Sequence, residues 1–415
     1  MKQWCRLLCL ALAGCHAAAG PKTAPDAAAV ADAAAVADAI GQPLDPTITD
    51  LRQVVPGPGL PADVSPQASN NNLDIAAFEG KTFLAGRTAP NHFAGPDTRL
   101  YVISSADEKT WSSETVVALG TDAREPRLLA FGGKLRLFFA QLGSDPNAFE
   151  PKGAFVTVRQ SAGKWTAPVP FYQPTFIPWR LQIRDNAAYL IGYTGGAAVY
   201  STDGKPIDVQ LLRSTDGENW LPAVPGKPIV LQGGVSETGF AFLPSGTIIA
   251  VGRNEAGEKG FGFGSKICTG TADQPWQCTP DKRKFDSPLV FTHGGAVWLI
   301  GRRTLNADDS TADYNLGHAT DTMADQYISY QLANWLKRKR CALWQVDPVT
   351  HSVQWRLDLP SRGDTCFASA LPLDARRWVV YNYSSPLDTG ADPVWFDGQH
   401  GDTHLYRQIL DFRGP

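Results

Sequence analysis

Residues 124–141 read REPRLLAFGGKLRLFFAQ, and residues 236–253 read SETGFAFLPSGTIIAVGR. In both stretches a polar start is followed by an apolar run, a turn that contains glycine, and a second apolar run. A glycine-containing turn between two such runs predicts a β-hairpin. The pattern occurs six times along the chain, and the other copies begin near Asp74, Trp179, Asp286 and Asp364.

Strand repeats of roughly 40–60 residues are typical of a β-propeller. We therefore predict an all-β, six-bladed β-propeller over residues 48–415, with residues 47–55 supplying the strand that closes the ring. The innermost strands of a propeller surround one axis. Charged residues that are far apart in the sequence are then expected to meet at one mouth of the ring.

A second motif follows several of the hairpins. Residues 214–220 read STDGENW, residues 105–111 read SADEKTW, and weaker copies occur at 161–165 and 271–276. The aspartate can accept backbone N–H bonds, glycine tolerates positive φ, and tryptophan buries a large ring. In this motif the chain resembles the sialidase-like propellers, whose Asp-box has the form Ser-x-Asp-Gly-x-x-Trp. The resemblance implies a structural turn on the outside of the propeller, away from the active site.

One insertion interrupts the repeats at about residues 304–340. Tyr327, Leu332 and Trp335 fall at helical spacing, which predicts one inserted helix. The basic run at residues 337–340 is expected at the helix C-terminus, where cations complement the helix dipole. A lid over the mouth is the alternative interpretation of this insertion.

The N-terminus predicts export. Residues 1–14 have a basic start and an apolar run too short to span a bilayer, which indicates a signal peptide. The run ends in Leu-Ala-Gly-Cys, which resembles a bacterial lipobox and implies a lipid on Cys15, with an ordinary signal peptide as the alternative. His16 follows, which by the same resemblance favours the outer membrane. Residues 15–47 are rich in Ala, Asp and Pro, and are expected to form a flexible linker.

Four cysteines remain outside this N-terminal region, and they allow three pairings. The spacing favours disulfides Cys268–Cys278 and Cys341–Cys366 over a zinc site, because the chain has no Cys-x-x-Cys motif or paired histidines. A net charge of −3 without a basic stripe argues against a nucleic-acid partner. No metal or other cofactor is expected, and the protein is expected to be a monomer.

Charged and tyrosine side chains stand where the inner hairpins begin and end. Arginines suit a carboxylate, because guanidinium binds it bidentately, and paired acids suit glycoside hydrolysis. The catalytic candidates are Asp74, Glu125, Glu237 and Tyr383. The substrate-binding candidates are Arg87, Arg180, Arg253, Asp286, Arg302 and Asp364.

The resemblance to sialidases is most specific in the fourth hairpin. Glu237, Gly246 and Arg253 match the family's glutamate, turn glycine and substrate-binding arginine. The match implies that Glu237 is the base that activates a nucleophilic tyrosine. It also implies that Arg253 belongs to an arginine triad, in which Arg302 or Arg303 would be a second member.

The chain departs from the family pattern in two places. Residues 72–75 stand where sialidases have Phe/Tyr-Arg-Ile-Pro, so the first triad arginine is missing unless Arg87 replaces it. Phe367 stands where the nucleophilic tyrosine is expected, so Tyr381 or Tyr383 would have to supply the hydroxyl.

Three functions therefore follow from the sequence, and all three take a glycan or glycoconjugate as partner. The first is an exported, lipid-anchored, exo-acting glycoside hydrolase on acidic glycans. The second is a glycan-binding lipoprotein without catalysis. The third is a hydrolase resembling arabinanases and fructosidases, which would use Asp74, Glu125 and Glu237 as an acidic triad.

Overall fold

A computed structural model of the protein describes residues 45–195, 205–258, 261–314 and 322–413. Within these ranges the chain forms six antiparallel sheets of four or five strands. The prediction of an all-β, six-bladed propeller is confirmed. The predicted signal peptide, Cys15 and nearly all of the linker lie outside the described residues.

The first three blades follow one another in chain order after β1 (Asp45–Val55). The first blade contains β2 (Ser69–Phe78), β3 (Lys81–Ala89), β4 (Arg99–Ser105) and β5 (Ser112–Val117). The second contains β6 (Ala123–Phe131), β7 (Lys134–Gln141), β8 (Gly153–Ser161), β9 (Lys164–Trp165) and β10 (Val169–Pro174). The third contains β11 (Ile177–Arg184), β12 (Ala187–Thr194), β13 (Ile207–Ser214), β14 (Leu221–Pro222) and β15 (Ile229–Gly233).

The last three blades repeat this order and include the helices. The fourth contains β16 (Val235–Phe242), β17 (Ile248–Asn254), β18 (Ser265–Gly270) and β19 (Gln277–Asp281). The fifth contains β20 (Asp286–His293), β21 (Ala296–Thr304), helix α1 (Met323–Trp335), β22 (Lys339–Val346) and β23 (Val353–Leu359). The sixth contains β24 (Ser369–Pro372), β25 (Arg377–Ser384), the short helix α2 (Trp395–His400) and β26 (His404–Arg413).

The ring is closed by β1, which pairs antiparallel with β26 and completes the sixth blade. Asp45 lies opposite Arg413, and Val55 lies opposite Leu405. This pairing confirms the predicted closing strand, because a strand from the start of the propeller completes the blade that contains β26.

Apolar side chains fill the space between neighbouring blades. Ala76 and Phe83 of the first blade pack with Leu128 and Leu137 of the second, and all four are fully buried. Burial of one large apolar side chain contributes about 1.5–3 kcal/mol. Successive side chains of a strand point to opposite faces of the sheet, so both faces carry apolar residues. These faces pack against the two neighbouring blades and hold the blades around the axis.

The Asp-box motifs form the turns that the sequence predicts. The Asp216 carboxylate accepts bonds from the backbone N–H groups of Glu218 and Asn219, at 2.7 and 2.8 Å. The turn joins β13 to β14, the third and fourth strands of its blade. Asp347 accepts two backbone N–H bonds in the same way between β22 and β23, a copy that the sequence pattern did not reveal.

Helix α1 confirms the predicted inserted helix, but the prediction for its end is wrong. It begins after Thr322, whose hydroxyl accepts the Asp325 N–H at 3.2 Å, and it ends at Trp335 with no basic residue in its last turn. Lys339 and the residue after it belong to β22. Pairing with the rest of the blade outweighs the small gain from a dipole contact.

Both expected disulfides are present. Cys268–Cys278 joins paired positions of β18 and β19, and Cys341–Cys366 joins the fifth blade to the sixth. Among the described residues, no helix has the length and apolar character needed to cross a membrane.

Candidate active site

The inner strands of the blades share a backbone irregularity close to the mouth, the end of the ring where these strands begin. In five of them the pairing register shifts by one residue over the first few positions. Asn72, Glu125 and Ser287 lie at these shifts with φ of 44°, 59° and 57°. Such β-bulges redirect side chains and are common beside active sites. Pro126 and Pro288 were the available sequence signal, because proline inside a strand marks a bulge.

Four of the predicted site residues form one connected group on the fourth and fifth blades. Arg253 donates through Nη1 to Glu237, and its Nε lies 3.2 Å from Oδ1 of Asp286. Arg302 donates through Nη1 to Oδ2 of Asp286 at 3.3 Å. Each oxygen of the Asp286 carboxylate therefore holds one guanidinium group, and the two arginines are kept beside each other.

Two further charged residues belong to this group and were missed in the sequence. Oε2 of Glu255 accepts from Nε of Arg253 at 2.7 Å and from Nζ of Lys284 at 2.6 Å. Both residues are buried. The sequence does contain a signal for both residues, because side chains two positions apart in a strand point to the same face. Glu255 follows Arg253 by two positions, and Lys284 precedes Asp286 by two.

We call this group the arginine–carboxylate cluster. Its members are Glu237, Arg253, Glu255, Lys284, Asp286 and Arg302. Three cations thus face three carboxyl groups inside the protein.

Asp364 and Tyr383 form a second group on the sixth blade. The Tyr383 hydroxyl donates to Oδ1 of Asp364 at 2.8 Å, and Nε1 of Trp395 donates to the same oxygen at 3.0 Å. Nδ1 of His92 lies 2.5 Å from Oδ2. His92 and Trp395 were not identified from the sequence, because the residues after β3 and helix α2 carry no repeated pattern that would place them here.

The first and second blades contribute Arg87 and Arg124, which share one carboxylate. Nε of Arg87 donates to Oδ1 of Asp122 at 3.1 Å, and Nη1 donates to the Asn71 side chain at 3.1 Å. Arg124 donates to Oδ2 of Asp122, and its Nη2 donates to the backbone oxygen of His92 at 3.3 Å. Arg124 therefore reaches the loop that also contacts Asp364.

Asp74 and Arg180 hold the blades together. Asp74 accepts from the backbone N–H of Leu128 at 2.7 Å and from the Ser369 hydroxyl at 2.6 Å, so it joins the first blade to the second and sixth. The guanidinium of Arg180 donates from all three nitrogens to backbone carbonyl oxygens, which belong to Ser287, Pro288 and Ala368.

Glu125 is also engaged in an internal contact. Its carboxylate lies 3.3 Å from Nη2 of Arg127, whose guanidinium lies 5.3 Å from the ring centre of Trp179 and 5.5 Å from that of Phe367. Phe367, which stands where a catalytic tyrosine was expected, is therefore a packing partner for a cation. The four catalytic candidates do not form a single acidic group.

The arginines at the mouth differ in how completely they are hydrogen-bonded. Each guanidinium nitrogen of Arg87, Arg127 and Arg180 has an internal acceptor. One buried nitrogen has no partner among the described residues in Arg124 (Nη1), Arg253 (Nη2) and Arg302 (Nη2). A buried donor without an acceptor costs about 1–3 kcal/mol. These three guanidinium groups therefore each keep one donor for which the described residues offer no acceptor.

Burial and charge shift the pKa values in opposite directions across the site. Burial raises the pKa of Glu237 to about 7, against the effect of Arg253, and it raises the pKa of Asp74 to about 7. Burial also raises the pKa of Asp286, but the charges of Lys284 and Arg253 outweigh it and hold this pKa below its usual range. Glu237 is thus the carboxyl group of the cluster that can carry a proton near neutral pH.

Burial raises the pKa of the Tyr383 hydroxyl well above its usual value, and the negative charge of Asp364 adds to this effect. The hydroxyl is therefore protonated at neutral pH. Tyr381, the alternative nucleophile, packs edge-on against Trp111 with ring centres 6.4 Å apart. No group of three or more His, Cys, Asp or Glu in the described ranges is arranged to hold a metal ion.

The fold is that of the sialidases. A protein of unknown function from Dyadobacter fermentans superposes with a TM-score of 0.60 and 16% identity, over 89% of this chain and 99% of that one. A Trypanosoma rangeli sialidase in complex with sialic acid gives a TM-score of 0.52 and 14% identity, over 84% of this chain and 55% of that one. The phage phi92 endosialidase gives 0.55 and 9%, over 90% and 70%.

These likenesses define a sialidase-like six-bladed propeller. The chain spans about half the length of the trypanosomal sialidase that it matches, 55%. No family model matches the sequence, and no curated protein matches it.

Proposed function

We propose that the protein is an exported, lipid-anchored glycoside hydrolase that acts on acidic glycans and works as a monomer. The observation that carries this proposal is the set of three buried guanidinium groups at the mouth, in Arg124, Arg253 and Arg302, each with one unpartnered nitrogen. An arginine stays protonated in a protein, so each of these nitrogens attracts an anionic oxygen.

The carboxylate of the ligand binds first to Arg253 and Arg302. Asp286 supports this arrangement, because its two oxygens hold the two guanidinium groups beside each other. The arginine–carboxylate cluster has equal numbers of cations and carboxyl groups, so an added anion is favoured when Glu237 carries a proton. Charge-assisted bonds of this kind are stronger than neutral ones and give geometric specificity.

The hydrolytic step uses Tyr383 as the nucleophile. Its Oη forms a bond to the anomeric carbon while the glycosidic carbon–oxygen bond breaks, and its proton passes to Asp364, which already accepts it at 2.8 Å. Protonated Glu237 supplies the proton that the departing oxygen needs, since its pKa of about 7 leaves it partly protonated at neutral pH. Water then hydrolyses the glycosyl–tyrosine bond, as in retaining glycosidases.

This assignment gives the role of base to Asp364 instead of Glu237, because Asp364 is the carboxylate that contacts the tyrosine hydroxyl. The acidic triad of Asp74, Glu125 and Glu237 is not carried forward. Asp74 accepts from Leu128 and Ser369, which join three blades, and its described hydrogen bonds include neither Tyr383 nor the arginine–carboxylate cluster.

A second candidate function is glycan binding without turnover. It is favoured by the surroundings of Asp364, whose two oxygens are also contacted by Trp395 and His92. A base that is held in this way accepts a further proton less readily.

One experiment separates the two functions. Sialyllactose is incubated with the full chain and with Tyr383→Phe, and released sialic acid is measured beside binding by calorimetry. Release by the full chain that is lost in Tyr383→Phe, with binding retained, supports the hydrolase. Binding without release in both proteins supports the binding function, and no binding to either overturns the proposal.

In this proposal the lipid on Cys15 holds the protein at the outer membrane, and the linker enters the propeller at the end of the ring that lies away from the mouth. The support is the strand register: Tyr383 at the mouth lies opposite Leu405, as does Val55, whereas Asp45 lies opposite Arg413 at the other end of β26. The 11 residues of β1 rise about 3.3 Å each. The tether therefore joins the propeller roughly 30 Å from the mouth.

A further inference from the structure

Glu255 accepts hydrogen bonds from four different side chains. Arg253 and Lys284 donate from the propeller, at 2.7 and 2.6 Å. Tyr330 and Gln331 donate from helix α1, at 2.8 and 2.9 Å. The Glu255 side chain is fully buried, so these four donors replace water around its carboxylate.

These contacts fix the direction of the Arg253 guanidinium. Glu255 holds Nε and Glu237 holds Nη1, whereas Nη2 has no partner among the described residues. A guanidinium group is planar and rigid, so two anchored nitrogens determine where the third one points.

Helix α1 is firmly packed at the point where it meets Glu255. The Tyr330 ring stacks on Phe263 with centres 4.7 Å apart and planes 3° from parallel. Nζ of Lys284 lies 4.7 Å from the centre of the same ring, a cation–π contact. The helix thus contributes both the hydroxyl and the aromatic surface that hold Glu255 and its partners in place.

We propose that helix α1 and Glu255 together position Arg253, so that its Nη2 meets the anionic group of the glycan. This inference rests on the proposed function, because it takes Arg253 as a ligand-binding residue. Tyr330 and Gln331 act on the ligand only through Glu255, and are positioning residues. The insertion in the fifth blade is then a part of the binding site that its sequence pattern alone did not define.

The test compares two tyrosine-to-phenylalanine changes in the same aromatic group. Tyr330→Phe removes the hydroxyl that holds Glu255 and keeps the ring. Tyr314→Phe is the matched control, because its hydroxyl donates to Asn334 at 2.9 Å and has no bond to Glu255. Both proteins are prepared as the full chain, and the probe is sialyllactose, with lactose as the neutral comparison.

We expect Tyr330→Phe to weaken sialyllactose binding by about three- to tenfold, the value of one buried hydrogen bond, while Tyr314→Phe changes it by less than about twofold. Equal effects of Tyr330→Phe and Tyr314→Phe would show that the helix only supports the fold, and would overturn the inference.

A measurement without ligand separates this inference from the proposed function. Exchange of the Arg253 Nε proton is followed by nitrogen NMR, with the resonance assigned by its loss in Arg253→Lys. We expect faster exchange in Tyr330→Phe and an unchanged rate in Tyr314→Phe. If this holds while the wild-type protein binds no sialyllactose, the proposed function fails and the positioning of Arg253 stands. Unchanged exchange in Tyr330→Phe overturns the positioning itself.

Discussion

Two sets of arginines lie at the mouth, and they differ in what holds them. Backbone carbonyl oxygens take up all the nitrogens of Arg180, and they take up two of the three in Arg127. Two carboxylates anchor Arg253, whereas Asp286 and the Thr365 carbonyl anchor Arg302, and each guanidinium keeps one nitrogen without a partner among the described residues. The first set therefore stabilises the ring, and the second set is the one that we propose to bind the ligand. The two sets of arginines are therefore distinguished by the groups that accept their hydrogen bonds and not by their positions in the blades.

Among these substitutions, Arg180→Met is expected to have the largest effect on the stability of the fold. Three backbone carbonyl oxygens lose their donor, so the free energy of unfolding should fall by about 3–5 kcal/mol. Urea unfolding measures this change. The fraction that remains folded should still bind sialyllactose, and a variant of wild-type stability that has lost binding would place Arg180 in the second set.

Asp74 also holds blades together, and its titration should make the free energy of unfolding depend on pH. Its folded-state pKa of about 7 lies above the unfolded value, so the folded protein binds the proton more tightly, and this group's contribution to stability is lost as pH rises from about 4 to about 7. Asp74→Asn cannot lose a proton. Between pH 5 and pH 8 its unfolding free energy should decline by roughly 2–4 kcal/mol less than that of the wild type. Parallel pH profiles in urea unfolding would contradict the assignment.

Arg302→Lys tests the second set with the charge retained. Lysine can keep a contact with Asp286, but it lacks the planar group that presents a separate nitrogen to the ligand. We expect sialyllactose binding to weaken by about 30-fold, and the free energy of unfolding to fall by about 1–3 kcal/mol because the Thr365 carbonyl loses the Arg302 Nε donor. Calorimetry and urea unfolding together check both parts, and wild-type affinity would remove Arg302 from the binding site.

The smallest effect is expected at the outer turns. Asp216→Ala removes the acceptor for two backbone N–H groups in an exposed turn. Tm should fall slightly while glycan binding and turnover stay at wild-type values. A loss of binding in Asp216→Ala would mean that the Asp-box takes part in function as well as in the fold.

The sequence was sufficient for the fold because local signals agree with one another at every blade. Glycine turns and apolar runs predict repeated hairpins, the Asp-box marks the outer turns, and the number of hairpins predicts the ring. The same repeats placed Glu237, Arg253, Asp286 and Arg302 at equivalent heights, which is why their contact could be expected.

The sequence could not predict which arginines keep a nitrogen without a partner among the described residues. It depends on the bulges that turn the carbonyl groups of Ser287 and Pro288 toward Arg180. It depends also on segments without any repeat, which bring His92 and Trp395 to Asp364. Neither effect leaves a periodic pattern in the residues.

A crystal structure of the protein with bound sialyllactose would show whether Arg253 and Arg302 bind the carboxylate of the ligand. From the proposed function we expect the ligand carboxylate to lie within about 3 Å of Nη2 of Arg253 and Nη2 of Arg302. A carboxylate bound elsewhere, with both of these nitrogens still without an acceptor, would contradict it.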